Sequence, residues 1–130
     1  MSKKIRVLIV DDSLDMRRIL TTVFCYFAPD MEVIALANDG MEGIRLTKEH
    51  QPDIVLMDVN LPGVDGITAA RTLSQETPSS RVILMSGEVG PEELRRSRLA
   101  GAQRLFAKPI DSDELITAIR TIHRPVAVAV

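Results

Sequence analysis

The stretch Asp53-Ile54-Val55-Leu56-Met57-Asp58-Val59-Asn60-Leu61-Pro62-Gly63-Val64-Asp65-Gly66 is the most informative part of this chain. Ile54 to Met57 form a short unbroken apolar run with β-branched members, the pattern of a strand buried on both faces. The run ends on a carboxylate, Asp58, and the chain then breaks at Pro62-Gly63 and again at Asp65-Gly66. An isolated charge at the tip of a buried strand is costly, so an acid in that place asks for partners. A second run of the same kind, Ile5 to Val10, leads directly into Asp11 and Asp12. If the two strands are parallel, the three carboxylates meet at one end of a sheet.

The rest of the chain supplies the elements for such a sheet. After the first strand, Ser13 is a candidate N-cap, and Met16, Ile19, Leu20, Val23, Phe24 and Phe27 recur at helical spacing. Pro29-Asp30 closes that helix, and Glu32 to Ala37 reads as a second strand. Asn38-Asp39-Gly40 turns into a helix over 40–49, whose Gly40, Gly43, Ile44 and Thr47 make a narrow face for close packing, and Pro52 stops it. A third helix is expected over 67–75 with Ile67, Ala70 and Leu73 inward, then a strand from Arg81 to Met85. Gly90-Pro91-Glu92-Glu93 opens a fourth helix, with Pro in the first turn and acids against the helix dipole, and Gly101 ends it. Gln103 to Ala107 reads as the fifth strand, followed by Lys108-Pro109. Asp111 and Glu114 cap a last helix with Leu115, Ala118, Ile119 and Ile122 as its buried stripe. Strands alternating with helices across short turns predict a doubly wound α/β fold with right-handed crossovers.

Composition narrows the function classes. At 130 residues the chain makes one domain with a sizeable core. A net charge of −2, with 26 % charged residues, gives no bulk attraction to nucleic acid or to a membrane surface, and 3 % aromatic residues argue against base stacking. No apolar run reaches the roughly 18 residues of a membrane span. The single cysteine, Cys25, excludes a disulfide framework and points to a cytoplasmic setting; its neighbours Val23, Phe24 and Phe27 place it in the core. Met41, Met57 and Met85 read as core residues too. His50 and His123 lack ligand spacing to any Cys or acid, and Arg95, Arg96 and Arg98 read as a solvated helix face. No Walker loop or Gly-x-Gly-x-x-Gly occurs, which disfavours nucleotide binding.

In a doubly wound fold the ligand crevice lies at the carboxyl ends of the strands. The strands deliver Asp11 and Asp12, then Asp58, then Ser86, then Lys108 to that edge. Three neighbouring carboxylates repel one another unless a cation sits among them, and an all-oxygen set with open positions suits partly hydrated Mg2+. A hydroxyl and an ammonium beside a carboxylate suit an anion carried by that carboxylate. Phosphate fits, because a carboxylate can accept a phosphoryl group as nucleophile while the ammonium and the hydroxyl hold its oxygens. A turn-and-cap role would account for any one of these acids, but not for three in register with Ser86 and Lys108.

The set Asp11-Asp12, Asp58 followed by Val59-Asn60-Leu61-Pro62-Gly63-Val64-Asp65-Gly66, Ser86-Gly87 and Lys108-Pro109 resembles the receiver domains of two-component response regulators, over residues 4 to about 123. The resemblance implies the flavodoxin-like strand order 2-1-3-4-5 and a receiver domain over 1–124, with 125–130 as a tail or the start of a linker. It implies Asp58 as the phosphoacceptor, with Asp12 and Asp58 as direct Mg2+ ligands. Asp11 would act through a metal-bound water, and the backbone carbonyl of Asn60 would be a third protein ligand. It further implies that Ser86 and Lys108 bind the phosphoryl oxygens and that the Lys108–Pro109 peptide is cis. The implied partners are a sensor histidine kinase or phosphotransfer protein, and a downstream effector protein or C-terminal output domain. A homodimer through the fourth helix, fifth strand and fifth helix is a further implication.

The sequence also departs from the family pattern. The position of the usual aromatic switch residue, three before the lysine, is Leu105; Phe106 falls one residue later and is expected on the opposite face. Ser86 replaces the commoner threonine, and Gly87 stands where alanine is usual. Asn60 and Glu88 flank the path of attacking water. Two other readings compete: a degenerate receiver that acts only as a protein-interaction module, and a flavodoxin-like cofactor binder, whose FMN phosphate Asp11-Asp12 would repel.

Overall fold

The computed structural model describes residues 3–124. β1 (Ile5–Val10), β2 (Met31–Ala37), β3 (Ile54–Asp58), β4 (Arg81–Ser86) and β5 (Arg104–Ala107) alternate with α1 (Leu14–Phe27), α2 (Gly40–His50), α3 (Gly66–Glu76), α4 (Pro91–Leu99) and α5 (Ser112–His123). The strands form one parallel sheet in the order β2-β1-β3-β4-β5, as expected. Element ends differ from the sequence reading by a residue or so, which is the scale on which helix ends fray. The tail from Pro125 onward lies outside the described residues.

Each central strand divides its side chains between two cores, because successive residues point to opposite faces. Val7, Ile9, Ile54, Leu56, Ile83, Met85 and Phe106 pack with Leu20 and Phe24 of α1 and with Leu115, Ile116 and Ile119 of α5. Leu8, Val10, Val55, Met57, Val82 and Leu84 pack on the other face with Ile67, Ala70 and Leu73 of α3 and with Ala100 beyond α4. The continuous apolar runs of β1, β3 and β4 follow from this double burial.

Two of the caps are ones the sequence signals. Ser13 Oγ accepts from the Met16 amide at 3.2 Å and Asp111 Oδ1 from Glu114 at 3.0 Å, while Asp39, read only as part of a turn, caps α2 by accepting from Glu42 at 2.8 Å. Asp65, expected only to turn the chain, caps α3 by accepting from the Thr68 amide at 2.9 Å and the Thr68 hydroxyl at 3.0 Å. The narrow face of α2 serves close approach: a Cβ on Gly43 would lie 2.9 Å from a Val10 methyl.

Four residues expected among the buried ones are exposed. Cys25 is exposed, and so are Ile19 and Phe27 on the same helix. The apolar residues of α1 cover more than one face, and only the row through Leu20 and Phe24 meets the sheet. Met41, in the first turn of α2, also faces solvent, whereas Met57 and Met85 are buried.

Candidate functional site

Asp11, Asp12, Asp58, Ser86 and Lys108 lie at the carboxyl ends of β1, β3, β4 and β5, the edge at which the sheet reverses its order. Asp11 is fully buried and Asp58 is 5 % exposed, while Asp12 is open to solvent. One carboxylate oxygen from each of the three lies within 4.8 Å of the others. Lys108, brought from the far side of the sheet by β5, closes the group: its Nζ donates to Asp58 Oδ2 at 2.7 Å and to Asp11 Oδ2 at 3.1 Å.

Backbone amides hold the remaining carboxylate oxygens. The Asn60 amide donates to Asp58 Oδ1 at 2.9 Å, and the Ser13 amide donates to Asp11 Oδ1 at 2.9 Å. These short loops form because each acid ends its strand and folds the next residues back onto its own side chain, as Asp does in Asx turns. The Ser86 hydroxyl is buried; its oxygen accepts from the Glu88 amide at 3.1 Å, which leaves its proton to donate elsewhere. The Lys108 amide donates to the Ser86 carbonyl at 2.8 Å, so β4 and β5 deliver hydroxyl and ammonium side by side. The Lys108–Pro109 peptide is cis.

The electrostatics follow from this packing. Burial alone would lower the Lys108 pKa, but the hydrogen bonds to Asp58 and Asp11, and their charges, outweigh it and raise it above the ordinary 10.5. Lys108 is therefore a firm cation, but its single charge does not offset three acids. A hard cation with oxygen preference fits that donor set, since each of the three acids can supply one carboxylate oxygen.

Leu105 is half-buried, pairs with Leu84 and packs against the core that holds α3, whereas Phe106 pairs with Met85 and is buried in the core on the face that α1 and α5 cover. The two neighbours thus face opposite sides of the sheet. Arg95, Arg96 and Arg98 are exposed on α4, Arg95 paired with Glu92 at 2.7 Å; His50 and His123 are exposed as well.

Two contributors to the site were not singled out from sequence. Arg17, in α1, turns back to donate from Nη1 to the Asp11 carbonyl at 2.6 Å. Gly66 packs its Cα against the backbone of Asp58 and Val59. For Gly66 the signal was present, since Gly directly after a capping Asp marks a close approach as readily as a turn.

Residues 7–120 match the family model of the response regulator receiver domain, and the chain belongs to that family. Phosphorylation-based switching in two-component systems is the function of these domains. The chain is 37 % identical over 126 residues to a protein-glutamate methylesterase/protein-glutamine glutaminase of Geobacter sulfurreducens, covering 95 % of this chain and 33 % of the relative. It is 36 % identical to the transcriptional regulatory protein LiaR of Bacillus subtilis (92 % of this chain, 56 % of LiaR) and 34 % identical to the chemotaxis protein CheY of that organism (88 % and 93 %). The chain thus spans only part of the first two, and its likeness to the methylesterase is confined to the receiver part. Among solved structures, the receiver domain of NarL from Mycobacterium tuberculosis superposes with a TM-score of 0.89 at 26 % identity, covering 94 % of this chain and 98 % of that one. CheY in the CheX-CheY-BeF3-Mg complex of Borrelia burgdorferi gives 0.87 at 28 % identity, covering 95 % and 92 %. Family membership sets aside the cofactor-binder reading, and nothing in the site favours a degenerate receiver.

Proposed function

We propose that Asp58 is the phosphoacceptor of this domain and that the acids and Lys108 around it carry the chemistry. The observation that supports this is the pair of bonds from Lys108 Nζ to Asp58 and Asp11, which ties the three strand tips into one charged unit. In the transfer, an Asp58 carboxylate oxygen attacks the donor phosphorus, the bond from phosphorus to the donor breaks, and an aspartyl phosphate forms. The donor is a histidine kinase or phosphotransfer-protein phosphohistidine, or a small acyl phosphate; its nitrogen or oxygen leaves with the bonding electrons. Lys108 exchanges its carboxylate partners for a phosphoryl oxygen, and Ser86 donates its free proton to another. Such transfers depend on positioning and charge neutralisation more than on covalent chemistry by other side chains.

Asp12 and Asp58, with the carbonyl of Asn60, would hold Mg2+, and Asp11 would support it from behind. The bound ion would supply the positive charge that the phosphoryl oxygens need. The clustered carboxylate oxygens support the choice of a hard cation, and the CheY of Borrelia burgdorferi similar to this chain has been solved in a complex that contains Mg2+.

Residues 1–124 act as the receiver unit, with 125–130 as a tail or linker. Switching propagates from Ser86 and Leu105 to the surface of α4, β5 and α5, where an effector protein, an output domain or a second copy of the chain docks. Among the described residues no helix is long and apolar enough to cross a membrane, and a cytoplasmic setting accords with the family.

The test is intact mass after incubation with acetyl phosphate, with Mg2+ or EDTA, for wild type and Asp58→Asn. A Mg2+-dependent gain of one phosphoryl group, absent in the variant, is expected. Equal labelling of the variant would remove Asp58 from its role.

A further inference from the structure

Asp11 and Asp12 are neighbours in sequence but are held very differently. Asp11 is locked on every side: its amide donates to the Ala37 carbonyl at 3.0 Å, Oδ1 accepts from Ser13, and Oδ2 accepts from Lys108. Among the described residues the Asp12 carboxylate has no such partner and is open to solvent. What limits the positions it can reach is therefore its own backbone. The peptide that joins the two acids carries the Asp11 carbonyl at one end and the Asp12 amide at the other, and that carbonyl is where the Arg17 guanidinium binds, at 2.6 Å.

Arg17 is itself well anchored. It is half-buried, its amide donates to the Ser13 carbonyl at 3.1 Å, and its carbonyl accepts from the Thr21 hydroxyl at 2.7 Å. A cation this early in a helix opposes the helix dipole, so its position does not serve the helix. Nor is its charge spent on a carboxylate: the atom it holds is a backbone oxygen, and the bond crosses from α1 to the strand tip.

We propose that Arg17 is a positioning residue for the acidic pair. By fixing the plane of the Asp11–Asp12 peptide it aims the otherwise unsupported Asp12 carboxylate toward Asp58. The inference rests on the reading of Asp12 and Asp58 as cation ligands, and it differs from that reading in assigning the aim of Asp12 to a residue on α1. Partners one shell behind a metal ligand act in this way.

Charge and positioning predict opposite signs. If Arg17 acted only through its charge, removing it would relieve repulsion and tighten divalent-cation binding. If it positions Asp12, removing it weakens binding despite that relief.

The experiment is calorimetric Mg2+ binding on wild type, Arg17→Met and Arg17→Lys, with the Mg2+ dependence of acetyl phosphate labelling followed in parallel by intact mass. Methionine keeps the apolar stem over α1, and thermal unfolding confirms that each variant is folded at the working temperature. The Mg2+ dissociation constant of Arg17→Met is expected to rise about 10- to 100-fold, with Arg17→Lys in between because lysine retains one donor within reach of the carbonyl. Unchanged or tighter Mg2+ binding in Arg17→Met overturns the proposal, as does a lysine variant as weak as methionine. If wild type binds Mg2+ yet takes no phosphoryl group, the failure falls on Asp58, and the calorimetry still decides the role of Arg17.

Discussion

The Cα of Gly66 rests against the backbone carbonyl of Asp58, so close that any side chain at Gly66 would overlap that oxygen. The Gly66 amide also donates to the Val59 carbonyl at 2.8 Å. The first residue of α3 is thus packed directly on the residue that ends β3, and the 59–65 loop is drawn tight between them. Gly40 does the same from α2, where a Cβ would overlap the Val64 carbonyl.

Gly66→Ala must therefore displace either Asp58 or the start of α3. The backbone atoms it meets cannot rotate away as a side-chain tip could. Overpacking of this kind costs about 1–3 kcal/mol, and the shift falls on Asp58, the proposed acceptor. A urea titration should show the loss of stability, and acetyl phosphate labelling at saturating Mg2+ should slow. An alanine variant as stable and as reactive as wild type would mean that the loop yields freely.

Lys108→Met leaves Asp11 and Asp58 facing each other without their shared cation. Removing one partner of a buried ion pair costs about 3–5 kcal/mol when it is fully enclosed, and the partly open Lys108 side chain puts the expected loss below that range. Added Mg2+ should stabilise the variant more than wild type, since the ion then neutralises acids that have no other cation. The pH dependence has a defined sign. The folded-state pKa of Lys108 is raised above 10.5, so its contribution is fully present below that value and fades as pH rises through the folded pKa. Denaturant midpoints measured from neutral to strongly alkaline pH should fall for wild type in that upper range, and the methionine variant should lack this part of the decline.

Leu105 and Phe106 should separate function from stability. Phe106→Ala empties a buried site in the core on the α1 and α5 face of the sheet and should cost about 3–5 kcal/mol. Leu105→Ala removes a half-buried side chain beside α4 and should cost about 1 kcal/mol. The leucine variant should nevertheless change the response of the α4–β5 surface to beryllofluoride, read as amide shifts of α4 and β5 by NMR. If Phe106→Ala proves the milder change in stability, the facing of β5 is wrong.

Much of this molecule was readable in the chain. The apolar runs of β1, β3 and β4 are buried on both faces, so their composition marks them without any tertiary information, and the first polar residue after each run must emerge at the carboxyl edge. That rule alone named Asp11, Asp58 and Ser86, and the short Phe106-Ala107 end of β5 led to Lys108. Caps at Ser13 and Asp111 were equally legible, because they are decided within three residues.

Tertiary structure decided what depends on the direction of a face or the reach of a side chain. The apolar residues of α1 are spaced widely enough to satisfy several faces, and only packing on the sheet selected Leu20 and Phe24 while leaving Ile19, Cys25 and Phe27 in solvent. Arg17 looks like any solvated helix arginine until α1 is packed against the sheet and its guanidinium meets the Asp11 carbonyl. Gly66 looks like turn chemistry until α3 closes on β3. Local patterns set where strands end and which residues stand there; the packing of helices on the sheet, which sums contacts from distant parts of the chain, set how those residues are aimed and held.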